Sequence, residues 1–161
     1  MTQQEFIKIL DSKGYSYEIK GFDIIINRND INLQSLETIP ERIQFNNKGF
    51  VDLKSLKILP EGVQFNNLGF VDLSSLETLP EEIQFNNKGY VYLKSLETLQ
   101  EGIQFNNQGD VNLSSLEVLP EGVQFNNQGD IISPIYNNIE KACPIGISPK
   151  KYFTLILKLK G

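Results

Sequence analysis

A glutamate recurs every 20 residues through the middle of this chain, as Glu41, Glu61, Glu81, Glu101 and Glu121. If successive segments stack, these carboxylates form a column, and a column of like charge is mildly repulsive. Two chemistries would justify it. Each glutamate can cap a nearby backbone N–H, or the column can hold a cation. Calcium wants clustered oxygen ligands, and one glutamate per segment is a thin supply, so local capping is the expectation. Nothing else points to catalysis. The chain has no histidine and a single cysteine, Cys143. No imidazole stands ready to activate that thiol or to join it on zinc. The expectation is a protein that is not an enzyme and needs no metal or cofactor.

Other columns carry recognition chemistry. Counting from the Val or Ile that opens each segment, position 20 reads Phe50, Phe70, Tyr90, Asp110, Asp130. Position 2 reads Asn32, Asp52, Asp72, Tyr92, Asn112, and position 4 reads Gln34, Lys54, Ser74, Lys94, Ser114. On an extended strand these share the parity opposite to the apolar positions and point outward. Exposed contiguous aromatics mark interfaces. Phe50, Phe70, Tyr90 and Tyr92, with Asp52, Asp72, Lys54 and Lys94 beside them, are therefore the candidate protein-binding residues. The competing structural reading is that a cap or loop covers the rings.

The element that must position these residues is the repeat itself. It spans 31–50, 51–70, 71–90, 91–110 and 111–130 without insertion. A fixed short period is the signature of stacked coils. Position 1 is Val or Ile, 3 and 6 are Leu, 9 is Leu or Ile, 13 is Val or Ile, and 15 is Phe. Alternation at 1–3 and 13–15 predicts two short strands per coil. The Asn-Asn-x-Gly corner fits residues that tolerate left-handed backbone. At the other corner, Leu-Pro-Glu-Gly, proline presets a turn. The 6-to-9 leucine spacing allows one turn of 3₁₀ helix. Phe45, Phe65, Phe85, Phe105 and Phe125 should stack inside. Asn47, Asn67, Asn87, Asn107 and Asn127 should form a buried ladder, each amide bonding the next coil, with Asn46 and its equivalents next in line. The outward Gln44, Gln64, Gln84, Gln104 and Gln124 could form a surface amide ladder.

Caps flank the array. Residues 1–30 read as an N-terminal cap. A helix over 2–14 starts at Thr2 with Glu5 at capping-box spacing, and strands follow at Tyr15–Lys20 and Phe22–Asn27. Residues 131–161 read as a C-terminal cap. Pro134 ends a sixth coil, 135–150 is turn-rich, and Tyr152–Lys160 is a strand. The fold class is mainly β, a repeat solenoid of about five 20-residue coils between an α/β cap and a strand cap.

Hydrophobic content of 40% and charged content of 22% suit a folded domain. No run reaches the ~18 apolar residues of a membrane span, and the N-terminus lacks a signal-peptide pattern. The expectation is cytoplasmic. The net charge of −5 divides into +4 over 131–161 and −9 over the rest. An acidic body argues against direct nucleic-acid binding.

The elements Ser-Leu-Glu-Thr-Leu-Pro-Glu and Leu-Pro-Glu-Gly resemble short leucine-rich repeats of bacterial type over 31–130. The resemblance implies stacked coils, Leu-Pro corners and an asparagine ladder. A free-standing array of this kind is expected to be a protein-binding adaptor or inhibitor, bacterial or phage, acting as monomer or homodimer. Two rivals differ in class: an acidic mimic of nucleic acid that fills a basic groove, and a structural module that self-associates through coil ends.

Overall fold

The structure, a computed structural model, describes residues 1–120 and 122–141. Helix α1 (Gln3–Ser12) begins at Thr2, whose hydroxyl accepts the Glu5 N–H while the Glu5 carboxylate accepts the Thr2 N–H. This is the capping box that the sequence predicts. Phe6 and Leu10 lie on its buried face. Strands β1 (Tyr17–Lys20) and β2 (Asp23–Ile26) form an antiparallel hairpin turning at Gly21, φ +63°.

Each repeat then contributes two strands. One set is β3 (Ile31–Asn32), β5 (Val51–Asp52), β7 (Val71–Asp72), β9 (Val91–Tyr92) and β11 (Val111–Asn112). The other is β4 (Ile43–Phe45), β6 (Gln64–Phe65), β8 (Gln84–Phe85), β10 (Gln104–Phe105) and β12 (Gln124–Phe125). Strand β13 (Ile131–Ile132) opens a sixth coil. All inter-coil pairing is parallel and keeps a 20-residue register: Val71 faces Val91, and Gln104 faces Gln124. The result is two parallel stacks, one running from β3 to β13 and the other from β1 and β2 to β12. The chain is therefore a β-solenoid.

The core follows from the apolar positions. Val71, Leu73, Leu76, Leu79, Ile83 and Phe85 are all buried, as are most of their equivalents in the other coils. The Phe column stacks face to face, with ring centroids 5.0–5.6 Å apart and planes within 9°. Such pairs add about 0.5–1.5 kcal/mol each beyond their area burial.

The structure differs from the sequence-based expectation at several places. The sixth coil gives way at Pro134, as expected, but Pro134 has a further role where the sequence suggests only turns. It opens helix α2 (Pro134–Lys141), where the Ser133 hydroxyl accepts the Tyr136 N–H. Ser-Pro is an N-cap followed by the favoured first helical residue, and that signal is present in the sequence. The strand expected over Tyr152–Lys160, like Cys143, lies outside the described residues. The tight turn falls at positions 3–6, where the Leu56 N–H donates to the Leu53 carbonyl. Positions 6–9 run extended instead, with Ile58 bridging Thr78 and Thr98 bridging Val118.

The corner glycines also have a different role. The left-handed residue is at position 12, in the proline corner: Arg42 (φ 61°), Gly62, Glu82 (φ 57°), Gly102 and Gly122. At position 19, glycine serves close approach. A Cβ on Gly89 would lie 2.4 Å from the Phe70 nitrogen and 2.5 Å from the Gly69 carbonyl carbon. Beside it, the Asn87 amide donates to the carbonyls of Gly69, Gly89 and Tyr90 at 3.1–3.3 Å. The ladder thus runs back to the preceding coil, not forward. The buried Oδ1 atoms of Asn47, Asn67, Asn87 and Asn107 accept no hydrogen bond, so their amide donors carry the bonding at this corner.

These two glycine roles separate experimentally. Gly89→Ala should cost about 3 kcal/mol or more through overpacking against backbone. Glu82→Gly should add about 0.5–1 kcal/mol by relieving left-handed strain, part of it offset by added unfolded-state freedom. Urea unfolding of the two variants beside the parent checks both signs.

Candidate functional site

The candidate face lies where positions 20, 1 and 2 cross the stack from β5 to β11. Position 1 is buried, so its neighbours on either side point outward. Phe50 and Phe70 stack at 4.9 Å with planes 5° apart. Tyr92 meets the edge of Phe70 at 6.0 Å and tilts toward Tyr90 at 6.1 Å. The Lys94 ammonium sits 5.3 Å from the Tyr92 ring centre. Four aromatic rings, one from each of four successive coils, thus form one continuous cluster. Tyr90 is 47% exposed, while Phe50, Phe70 and Tyr92 are half-buried. Among the described residues, their aromatic partners are one another. Burial pushes the Tyr92 hydroxyl above the usual phenol range, and Tyr90, Asp72 and Asp110 add to the shift. Tyr92 is therefore a neutral donor at physiological pH.

The charged candidates divide. Lys54 and Lys94 are exposed on this face. Asp52 and Asp72 have a local task instead. The Asp52 carboxylate accepts the Lys54 N–H at 3.1 Å, and Asp72 accepts the Ser74 N–H at 2.9 Å and the Ser74 hydroxyl. Asn32 and Asn112 do the same for Gln34 and Ser114. These are Asx turns, in which either Asp or Asn supplies the acceptor. The sequence carried this signal, because position 2 is Asp or Asn in every one of the five repeats except one. Tyr92 is that exception, and a tyrosine cannot make the turn.

Position 20 shows a related contrast. At the ends of the array an aspartate caps the next coil: Asp30 accepts the Phe50 N–H at 3.2 Å, and Asp110 accepts the Asp130 N–H at 2.9 Å. Between them the column is aromatic.

The other columns resolve differently from expectation. Glu41, Glu61, Glu81 and Glu101 are exposed, and among the described residues no backbone N–H donates to their carboxylates. Glu121 lies outside the described residues. No group of three or more His, Cys, Asp or Glu comes together as a metal site among the described residues. The surface amide ladder is at position 16, not at the glutamines. Asn66 donates to Asn46, Asn106 to Asn86 and Asn126 to Asn106, at 2.9–3.0 Å. Among the described residues, no helix is long and apolar enough to cross a membrane.

The fold and the site define a class, a β-solenoid of 20-residue coils with an asparagine ladder and one aromatic cluster on its outer surface. No protein-family model, no curated protein and no solved structure matches the chain.

If Asp72 is scaffold and not a contact residue, Asp72→Asn should leave stability within about 0.5 kcal/mol of the parent. Asp72→Ala should lose about 1 kcal/mol with the hydrogen bond. Thermal denaturation of the pair, with their partner affinity measured alongside, distinguishes the two roles.

Proposed function

We propose that this protein is a non-enzymatic protein-binding module, an adaptor or inhibitor, that engages a partner protein through Phe50, Phe70, Tyr90 and Tyr92 with Lys54 and Lys94 at the rim. The observation that carries this reading is Tyr92. Within the five repeats it stands at the one position-2 site where the Asx turn is given up, and its ring joins those of Phe70 and Tyr90. A residue that forgoes a local hydrogen bond to enlarge an exposed apolar cluster is accounted for by contact with something else. Aromatic residues ringed by polar ones are the composition of a binding hot spot. Asp52 and Asp72 shape the strand ends beneath it.

The module acts in the cytoplasm. Its coils are a variant of the short bacterial leucine-rich type, a likeness that rests on the period and the Leu-Pro corners. A bacterial or phage inhibitor fits this small array best.

The test is affinity capture with the parent and with Phe70→Ser/Tyr90→Ser. The double variant should lose the partner while its circular dichroism stays unchanged and its melting point moves by no more than a few degrees. Undiminished capture would overturn the assignment. Capture by the parent that vanishes in high salt and yields to competing DNA would favour the acidic-mimic reading instead.

A further inference from the structure

The two N-terminal sheet edges are finished in different ways. At β3, the Tyr15 hydroxyl accepts the Asn32 N–H at 2.9 Å and donates to the Asn32 carbonyl at 3.3 Å. That edge is plugged by a side chain. On the other stack, among the described residues, β1 is the terminal strand and β2 is the one strand it pairs with. Residues Glu18, Ile19 and Lys20 are all exposed. Ile19 is 57% exposed and the adjoining Phe22 is 74% exposed. Ile19 lies opposite Ile24, which is fully buried. It therefore has core-facing parity at a point where the core has run out.

We propose that two copies of this chain pair through β1, antiparallel about a two-fold axis at Ile19, so that their β1-to-β12 sheets become continuous. Hydrogen-bond alternation supplies the first argument. The hairpin closes at Lys20 and Asp23 across the two-residue turn Gly21-Phe22. The closing pair of such a hairpin exchanges hydrogen bonds, and every second pair does likewise. Lys20 and Glu18 therefore spend their backbone groups on β2, and the N–H and C=O of Ile19 and Tyr17 point to the open edge. A two-fold axis at Ile19 lets the two copies of that residue exchange both bonds.

Charge selects the same register. With Ile19 facing Ile19, Glu18 of each copy lies opposite Lys20 of the other, in the non-hydrogen-bonded pairs where side chains come closest. Sliding by one pair in either direction sets Glu18 against Glu18 or Lys20 against Lys20. Both alternatives place like charges face to face, which disfavours them. Within one chain, Glu18 and Lys20 already sit 3.3 Å apart as an exposed pair, so exchange between copies costs little. Self-complementarity about a two-fold is the form that homodimer interfaces take, and pairing removes an edge that would otherwise recruit other strands.

The experiment is sedimentation equilibrium or light scattering on the full chain from micromolar to millimolar concentration. The parent should pass from monomer to dimer over that range. Glu18→Lys and Lys20→Glu should each weaken the dimer at least tenfold, by setting lysine against lysine or glutamate against glutamate. The combined Glu18→Lys/Lys20→Glu chain should recover the parent's dimer, because the swapped pair is again complementary. Circular dichroism on all four verifies the fold, since the double swap keeps the in-chain ion pair. A parent that stays monomeric to millimolar concentration would overturn the proposal, and so would single reversals that dimerise normally or a double reversal without recovery. A dimer abolished by Phe70→Ser/Tyr90→Ser but indifferent to charge reversal would also overturn it, by moving the contact to the aromatic face.

Discussion

The structure depends on how closely one coil approaches the next at the Asn-x-Gly corner. The glycine at position 19 touches the backbone of the glycine below it, with no room for a side chain. That approach brings the position-17 amide within reach of a carbonyl in the preceding coil and of two in its own, as with Asn67 on Gly49, Gly69 and Phe70. Sheets can then be only two residues wide in most coils, because the corner holds the register as well as the ladder does. The face-to-face Phe column follows, since stacked identical coils place identical rings one coil spacing apart.

A scaffold set by positions 17 and 19 leaves other positions free to change, and the outer face shows which ones have done so. Asp and Asn at position 2 still serve the backbone, as at Asp52, Asp72 and Asn112. Aspartates at position 20 still cap the following coil. The aromatic residues between them do neither. Phe50, Phe70, Tyr90 and Tyr92 spend their surface on one another and on solvent. Local structure does not account for them, which is why the binding reading rests on them and not on the charged columns. Strand β1 is a second distinctive place, at one end of the other sheet, where among the described residues no further strand pairs with it.

Much of this was legible in the residues. The period, the apolar positions, the capping box at Thr2 and Glu5, and the ladder asparagines all follow from patterns that report local geometry directly. The direction of the ladder was not legible, because sequence alone does not say which neighbouring coil an amide reaches. Nor was the purpose of Gly89. Glycine permits both left-handed backbone and close approach, and only the stacked neighbour distinguishes them. The left-handed site was marked by Gly62 and Gly102 but hidden by Arg42 and Glu82, which adopt the same strained geometry. Asp52 and Asp72 have outward parity and also make Asx turns, and outward parity alone does not reveal the second task. Pro134 both closes the sixth coil and serves as the first residue of α2, and a proline alone does not separate those two roles.

The central claim is that position 17 is scaffold and that Tyr92 is kept for contact with a partner, not for the fold. The direct measurement is equilibrium urea unfolding of Asn87→Ala and Tyr92→Asn beside the parent. Asn87→Ala removes the buried amide that the Gly69, Gly89 and Tyr90 carbonyls share, and should lose roughly 2–3 kcal/mol. Tyr92→Asn restores the Asx acceptor found in the other coils and should stay within about 0.5 kcal/mol of the parent. Comparable losses in both variants, or a larger loss at Tyr92, would contradict the account.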